Sequence, residues 1–282
     1  MKNSDDTNKT RVNILEFQLG DGWNVKPAGG SSGEAYIAWM GERKIFLKRN
    51  SSPFLAVLSA EGIVPKLLWT KRLENGDVIT AQKWVNSREL RAKDMGERQV
   101  AELLSKIHSS AELLDMFQRI GNKPRTPELI VEELEDGYYR LEEKHPAMAE
   151  AICYLKEELQ YVSPAKMVVC HGDMNHNNWI VNSRGDLYLI DWDSASVRDP
   201  AYDIGLLLHE YIPEKEWTAW LDHYGLSLTE TLKTKMNWYV VSHALQQALE
   251  HQRKNDLLTA SQWITYLQTA SFKTTAEKKR EQ

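Results

Sequence analysis

The chain has 282 residues, of which 42% are hydrophobic, with 35 Lys and Arg against 40 Asp and Glu and a formal net charge of −5. This length allows one large domain or two lobes, and the apolar content is sufficient for a real core. The mild acidity argues against a protein that binds nucleic acid or an anionic membrane surface.

The two cysteines, Cys153 and Cys170, stand alone in apolar contexts, which favours a reducing compartment over a disulfide framework. No apolar stretch follows a basic N-terminus, and no run approaches the roughly 20 apolar residues that a spanning helix needs. We therefore expect a cytoplasmic protein without membrane insertion.

The first part of the chain predicts a small β-rich lobe. Residues 1–13 are polar and are predicted to form a disordered tail. Residues 14–85 contain short strand-like runs, among them "EAYIAWM", "KIFLKRN" and "DVITAQKWV", and glycine-bearing turns at Met40-Gly41-Glu42 and Glu74-Asn75-Gly76-Asp77 separate several of the runs. This pattern is typical of an antiparallel sheet built from hairpins.

Helical periodicity follows the crossing near residues 84–88 and predicts a larger lobe over 86–270. The first helix is expected to begin at a capping box formed by Asp94 and Glu97 and to end at Gly121. Its apolar face comprises Val100, Leu103, Leu104, Ile107, Ala111 and Leu114. Pro146 is expected to open another helix, and two long helical patterns cover Leu228–His251 and Thr259–Ala270. The charged residues 271–282 are predicted to fray. The fold class is therefore α+β.

The densest group of polar residues is "VVCHGDMNHNNWIV", Val168 to Val181. The strand-like runs around it, "KMVVC", "NWIVN" and, after the turn Ser183-Arg184-Gly185, "DLYLIDW", predict a short hairpin embedded among helices. Asn178 follows Asp173 by five residues, and Asp191 lies thirteen further on, at the end of the apolar run 187–190. Two carboxylates and an amide oxygen on a short hairpin suit Mg²⁺ held against phosphate oxygens. Phosphoryl transfer also needs a carboxylate that orients the attacking hydroxyl, which is a role for Asp173.

The motifs "HGD....N" and "IDW.......DPAYDIG" resemble the aminoglycoside phosphotransferase and choline kinase family, over about residues 20 to 270. The resemblance implies a bilobal, protein-kinase-like fold: a small antiparallel β-rich N-lobe that binds the nucleotide and a larger helical C-lobe, with the active-site cleft between them. It also implies ATP and Mg²⁺ as cofactors. By the resemblance, Asp173 is the catalytic aspartate, and Asn178 and Asp191 bind Mg²⁺.

In the N-lobe, "AGGSSGEAY" contains Gly29, Gly30, Ser31, Ser32 and Gly33. Their backbone N–H groups could approach phosphates, although a flexible hairpin turn explains the same residues.

Lys48 ends the strand "KIFLK", where a lysine is usually a solvated strand end. In a kinase it would reach the α- and β-phosphates. Glu61 is the candidate partner of this lysine, with Ser52 as an alternative, and Arg49 is the next candidate for the phosphate contact. Groups near Gln82, Lys83 and Trp84, at the lobe crossing, are expected to meet the adenine.

This chain departs from many relatives in the loop after Asp173, where Asn175, His176 and Asn177 replace His-Pro-Gly. Asn175, His176 and Asp193 are candidate acceptor contacts, with a surface-loop role as the alternative for His176 and Asp193 and a metal contact as a further alternative for Asp193. The form "HGDMNHNN" most resembles a bacterial branch of cell-cycle regulator kinases, which implies a cell-cycle role. Cell-division proteins are implied as partners by this resemblance only.

Several other polar and aromatic residues of this half are expected to support the structure. His171 and His108 are interpreted as structural histidines, and Asp199 and Asp203 as a turn residue and a helix cap that brace the loop. The cluster Trp217, Trp220, Trp238 and Tyr239 is expected in the core.

Three functions stay open. The first is an ATP-dependent kinase of a small hydroxyl compound, with a sugar or nucleoside preferred over choline or an aminoglycoside. The second is a regulatory binding module with a kinase fold and little turnover. The third, ranked last, is a metal-dependent hydrolase that uses His171, Asp173, His176 and Asp191; it predicts that these side chains cluster around a metal.

Overall fold

The computed structural model describes residues 19–28, 34–164 and 166–269, and the chain divides into two compact units. The first unit contains the residues up to Glu89 together with Trp179–Ile190, and the second contains Leu90–Asn178 and the residues from Asp191 onward. No helix within the described part of the chain is both long and apolar enough to cross a bilayer.

The first unit is built on a five-stranded antiparallel sheet in the order β1-β2-β3-β5-β4. Its strands are β1 (Asn24–Pro27), β2 (Ala35–Met40), β3 (Arg43–Arg49), β4 (Leu67–Arg72) and β5 (Val78–Lys83), with helix α1 (Phe54–Ala60) between β3 and β4. The predicted sheet of hairpins is confirmed. Gly41 has φ of 57° at the tight turn between β2 and β3, a backbone conformation that glycine adopts at little cost.

Alternation of apolar residues creates the core of this sheet. Along β2 and β3, every second side chain is buried on one face, and these side chains cluster with apolar residues of β1, β5 and the turn that leads into β5. The cluster comprises Val25, Tyr36, Ala38, Ile45, Leu47, Leu73, Ile79 and Ala81. Leu19 and Trp23 pack against it.

A second, three-stranded sheet also belongs to the first unit. Its strands are β6 (Ser87–Glu89), β8 (Trp179–Asn182) and β9 (Leu187–Leu189), in the order β6-β8-β9. The predicted hairpin of β8 and β9 is confirmed. The sequence pattern embedded it among helices, whereas its contacts assign it to the first unit. The reason is that β8 pairs with β6 and that the Leu189 amide donates to the Ile63 carbonyl over 3.0 Å.

The second unit is mainly helical, as the periodicity predicted. Its helices are α2 (Arg98–Ser109), α3 (Ala111–Arg119), α4 (Pro127–Tyr139), α5 (Pro146–Glu158), α6 (Ala201–Tyr211), α7 (Trp217–Tyr224), α8 (Glu230–Arg253) and α9 (Leu257–Thr269). Strands β7 (Val168–Cys170) and β10 (Ser196–Arg198) pair antiparallel within it. Together with the first unit this gives the expected α+β, bilobal fold class.

The region 94–120 differs from its prediction in two ways. Asp94 caps a 3₁₀ turn over Ala92–Gly96 and accepts from the Arg91 backbone and guanidinium, so that the expected capping box with Glu97 is wrong. The single predicted helix is broken at Ser110, whose hydroxyl accepts from the Leu113 amide and starts α3. This N-cap resets the helical phase, and Leu113 and Phe117 become buried in place of the expected Ala111 and Leu114.

Candidate active site

Strand β7 leads directly into the loop that carries Asp173. Gly172 has φ of +84°, and a β-carbon at this position would lie 2.5 Å from the backbone oxygen of Ser194. The loop therefore requires glycine, both for its backbone conformation and for its close approach to the segment after Asp191. The ring of His171 packs edge-on against the Trp192 ring at 4.8 Å, which joins the same two segments.

Local hydrogen bonds orient the exposed carboxylate of Asp173. Its Oδ1 accepts from the Asn175 amide over 3.2 Å, and its own backbone N–H donates to Nδ1 of His171 over 3.3 Å. The Oδ1 of Asn175 accepts from the Asn177 amide over 3.0 Å, which completes a polar turn. The carboxylate is thus both solvent-accessible and held in place, as a base that meets a hydroxyl must be.

Asn178 is held against the same loop. Its Nδ2 donates to the backbone oxygen of Asp173 over 3.2 Å, and its backbone N–H donates to the Asn175 carbonyl over 3.0 Å. A carbonyl oxygen can only accept, so this bond determines which end of the amide is nitrogen. Its oxygen therefore points away from the Asp173 carbonyl and can serve as a metal ligand.

Asp191 occupies an unusual backbone conformation, with φ of 62° and ψ of 69°. A non-glycine residue in this left-handed region costs on the order of 1–3 kcal/mol, and such residues cluster at functional sites. It directly precedes the 3₁₀ turn Trp192–Ser194, whose residues pack on His171 and Gly172. The strained residue therefore starts the segment that is packed on the Asp173 loop.

The three acceptor candidates lie in this neighbourhood with different degrees of constraint. Asn175 and Asp193 are exposed. The Nδ1 atom of His176 lies 3.1 Å from the Leu90 carbonyl, and its backbone N–H donates to the Tyr211 hydroxyl over 3.2 Å. Because these bonds fix the ring, only Nε2 of His176 is directed elsewhere.

The buried carboxylate of Asp203 is hydrogen-bonded to the backbone of the Asp173 loop. Asp203, on α6, accepts from the His171 amide over 2.7 Å and from the Gly172 amide over 3.0 Å. Asp199 accepts from the Ala201 amide at the start of α6 and pairs with Lys235 at 2.8 Å. The expectation that Asp203 braces the loop is confirmed, as is the structural interpretation of His171, whereas the Asp199 side chain contacts the start of α6 and Lys235.

Tyr211 contacts the Asp173 loop through His176, and neither it nor His243 and Trp263 was singled out by the sequence patterns. Burial raises the pKa of Tyr211, and Glu210 and Asp173 add to the rise. His243 bonds to the Tyr202 hydroxyl at 3.0 Å and packs on Trp263 at 5.7 Å. These residues come from α6, α8 and α9 and share no local pattern; the only signal was the excess of aromatics in the helical half.

The first unit contains the remaining candidates. Lys48 lies on β3 opposite Thr80 of β5, and Glu61 is the residue at the end of α1. Arg49, the fallback candidate, forms a two-pronged ion pair with Asp77, which commits its guanidinium to the sheet. The glycine-rich candidates Gly29, Gly30, Ser31, Ser32 and Gly33 lie outside the described residues.

Of the three residues expected near the adenine, Lys83 and Trp84 line a pocket in the first unit and Gln82 does not. Gln82 is buried, and its Nε2 donates to the Pro65 carbonyl over 2.9 Å, whereas the indole N–H of Trp84 donates to Asn86 over 2.9 Å. The pocket has a volume of about 380 Å³ and is lined by Lys66, Lys83, Trp84, Val85, Asn86, Asn182, Ser183, Arg184 and Tyr188.

The metal-hydrolase hypothesis finds no supporting cluster. Within the described ranges, the only group of three His, Cys, Asp or Glu side chains close enough to share an ion is His108, Cys170 and Asp203. None of its members belongs to the predicted hydrolase set of His171, Asp173, His176 and Asp191. Both ring nitrogens of His108 are engaged, with Tyr224 and Asp203, so this group is a hydrogen-bond network.

Comparisons with known proteins place these features in context. The sequence profile of a phosphotransferase enzyme family matches residues 25–239, which is well over half of the chain. That range includes Lys48, Asp173, Asn178 and Asp191.

Solved structures share the fold over nearly the whole chain. A choline kinase from Streptococcus pneumoniae is 19% identical with a TM-score of 0.69, and the match covers 93% of this chain and 99% of that one. The GDP complex of an aminoglycoside 2'-phosphotransferase is 16% identical with a TM-score of 0.72, over 92% and 96% of the two chains. A choline/ethanolamine kinase family protein from Mesorhizobium loti is 13% identical with a TM-score of 0.70, over 97% and 96%.

Proposed function

Because the chain belongs to the phosphotransferase enzyme family, we propose that it transfers the γ-phosphoryl group of ATP to a hydroxyl of a small molecule, with Asp173 as the catalytic residue. The observation that carries this proposal is the arrangement of the Asp173 loop: an exposed carboxylate is oriented by Asn175, and the Asn178 amide is fixed beside it.

Asp173 acts on the acceptor. Its carboxylate accepts a hydrogen bond from the attacking hydroxyl and takes the proton late, as the new O–P bond forms and the bond to the β-γ bridging oxygen breaks. ADP leaves with the electrons of that bond. The carboxylate needs solvent access to meet an acceptor, and Asp173 has it.

Asn178 and Asp191 would hold Mg²⁺. One amide oxygen and one carboxylate are hard ligands of the kind this ion prefers, and the amide oxygen of Asn178 is directed away from the Asp173 carbonyl. Bound Mg²⁺ would neutralise charge on the phosphate oxygens. The strained backbone of Asp191 is consistent with a carboxylate held in one direction for this purpose.

In the first unit, we assign Lys48 to the phosphates of ATP and the segment near Gln82 and Trp84 to the adenine. Lys48 is preferred over Arg49 because the Arg49 guanidinium is engaged with Asp77. Glu61 remains the proposed partner of Lys48, and the glycine-rich residues 29–33 remain proposed phosphate contacts.

For the acceptor we prefer a sugar or nucleoside. Asn175 and Nε2 of His176 offer groups that donate and accept, as a polyhydroxylated ring requires, and Asp193 is an exposed acid nearby in the sequence.

A second acceptor class is favoured by one observation. Trp263 packs on Tyr266 at 6.1 Å and on His243 at 5.7 Å. Burial raises the pKa of the Tyr266 hydroxyl, and the nearby Glu210 carboxylate raises it further. Aromatic rings beside carboxylates suit an amine-bearing acceptor such as choline or an aminoglycoside.

The test is an ADP-release assay with ATP and Mg²⁺ against sugars, nucleosides, choline and an aminoglycoside, with Asp173→Asn as the blank. Phosphorylation of a sugar or nucleoside supports the preferred acceptor. If choline or the aminoglycoside reacts at least about ten-fold faster than all of them, the preference is wrong and the cationic class replaces it. If ATP binds and no acceptor reacts, the regulatory module gains support. A cell-cycle role, and a place in the cytoplasm, remain predictions from the sequence.

A further inference from the structure

A buried chain of hydrogen bonds runs from α7 to the Asp173 loop. The Tyr224 hydroxyl lies 2.8 Å from Nδ1 of His108, and Nε2 of His108 lies 3.1 Å from Oδ2 of Asp203. The side chains of His108 and Asp203 are 2% and 0% exposed. Three helices, α2, α6 and α7, thus contribute one residue each.

The direction of the chain follows from its last member. The Asp203 carboxyl accepts from the His171 and Gly172 amides, and its pKa lies below the ordinary value, so it is ionised and Nε2 of His108 donates to it. In the neutral imidazole, Nδ1 then accepts from the Tyr224 hydroxyl. The Tyr224 hydroxyl therefore supports the tautomer of His108 that the Asp203 carboxylate requires, and His108 orients Asp203.

We propose that Tyr224 and His108 are positioning residues for phosphoryl transfer: they hold Asp203 where it fixes the backbone of residues 171–172 and, through it, the carboxylate of Asp173. This inference rests on the proposed catalytic role of Asp173. None of the three buried residues touches a reacting atom in the proposed mechanism; their effect passes through two backbone N–H groups.

Electrostatics support the importance of the His108 contact. Burial by itself raises the pKa of the Asp203 carboxyl. The opposing effects are larger: the hydrogen bond from His108, the electrostatic influence of His108 and His171, and the Gly172 amide. The pKa therefore lies below its ordinary value. Without the His108 donor, a buried charge would lose one of its three N–H partners. The carboxylate would then shift or take up a proton, and either change would loosen the loop. Small displacements of a catalytic group are costly in rate.

The first experiment compares rates. The variants are His108→Leu, His108→Gln and Tyr224→Phe. The matched control is Tyr239→Phe, because Tyr239 is fully buried and its hydroxyl has no hydrogen-bond partner within the described residues. ADP formation from ATP and Mg²⁺ is measured with water as the acceptor. We expect kcat to fall on the order of ten-fold or more in His108→Leu, with the KM for ATP within about two-fold of wild type. His108→Gln should recover part of the loss, since its amide can donate to Asp203.

The second experiment follows amide hydrogen exchange by NMR and needs no turnover. The His171 and Gly172 amides should exchange at least about ten-fold faster in His108→Leu and Tyr224→Phe, while core amides of α8, such as that of Leu245, keep their wild-type rates. Equal acceleration of all slow amides would indicate general destabilisation and overturn the proposal. Unchanged exchange at residues 171–172 would overturn it as well.

The two experiments separate this inference from the proposed function. If Asp173→Asn keeps the wild-type rate, the catalytic role of Asp173 is wrong, whatever the exchange shows. If Asp173→Asn loses activity while His108→Leu and Tyr224→Phe keep the kcat of wild type, only the positioning role is wrong. A fall in kcat that Tyr239→Phe shares equally would also contradict it.

Discussion

The side-chain amide nitrogen of Asn178 donates a hydrogen bond of 3.2 Å to the backbone oxygen of Asp173, five residues earlier. This bond makes one residue do two things: its nitrogen closes the loop that carries the proposed base, and its oxygen faces the other way. The proposed acid–base and metal-binding functions are therefore coupled in one short turn, and substitutions within it should separate them.

Replacement of Asp173 by asparagine tests the base. Asp173→Asn is nearly isosteric, and its Oδ1 can still accept from the Asn175 amide, so the variant should fold with wild-type thermal stability. It cannot accept the hydroxyl proton, and turnover should fall by roughly 10²–10⁴-fold. Steady-state kinetics with purified protein checks this; near wild-type turnover would exclude Asp173 from the role.

Asp191→Ala should harm metal-dependent activity more than Asn178→Ala. Asp191 offers a full negative charge to Mg²⁺, whereas Asn178 offers a neutral dipole. We expect a loss of about a thousand-fold in the first variant and about a hundred-fold in the second, with a raised Mg²⁺ requirement in both. A titration of activity against Mg²⁺ measures this, and wild-type activity that persists in excess EDTA would contradict the metal role.

Lys48→Met should weaken ATP use and leave acceptor binding intact. The methionine retains the length and apolar stem but loses the charge proposed to meet the phosphates. The matched control is Lys71→Met, an exposed lysine on β4 of the same sheet. We expect kcat/KM for ATP to fall by at least about ten-fold in the first variant only. Equal kinetics in the two variants would remove Lys48 from the nucleotide site.

Two glycines with the same backbone conformation separate strain from crowding. Gly172 and Gly185 have φ of +84° and +87°, but a β-carbon would meet the Ser194 carbonyl at 2.5 Å in the first and nothing within 4 Å in the second. Gly185→Ala should cost about 1 kcal/mol of unfolding free energy from its backbone alone. Gly172→Ala should cost at least about 2 kcal/mol more, because the loop must move. Urea unfolding of both variants gives the comparison; equal losses would show that the contact is relieved without cost.

The features that were predicted correctly depend on residues close together in the sequence. Alternation along β2 and β3 predicted the sheet, and the spacing of Asp173 and Asn178 pointed to two residues that the structure joins in one turn, through the Asn178 side chain and the Asp173 backbone. The break at Ser110 was missed because an N-cap serine between two amphipathic stretches leaves the apolar periodicity nearly continuous.

Other parts of the site depend on contacts between residues far apart in the chain. Tyr224 lies 116 residues from its partner His108 in the sequence, and His243 lies 41 residues from Tyr202. No local sequence pattern could therefore predict either pair. The left-handed backbone of Asp191 was not predicted either, because aspartate visits this region only occasionally and no neighbouring residue in the sequence requires it.

The last prediction concerns acid stability through His243. Burial, with a contribution from Arg198, lowers the pKa of this histidine to about 4, against opposing influences from Asp173, Glu250 and Asp203. An unfolded chain would bind a proton on His243 below its ordinary pKa of 6.5, whereas the folded protein binds it only below about 4. Protonation therefore favours unfolding, and stability is lost as the pH falls from about 6.5 to about 4, by up to about 3 kcal/mol. His243→Gln keeps a group that can bond to the Tyr202 hydroxyl and removes the titration. As the pH falls over this range, the unfolding free energy of the variant should fall less steeply than that of wild type. The difference between the two slopes should approach the value for one proton taken up on unfolding. Parallel curves for the two proteins in urea unfolding at pH 4.5, 5.5 and 6.5 would show that His243 titrates normally in the folded state.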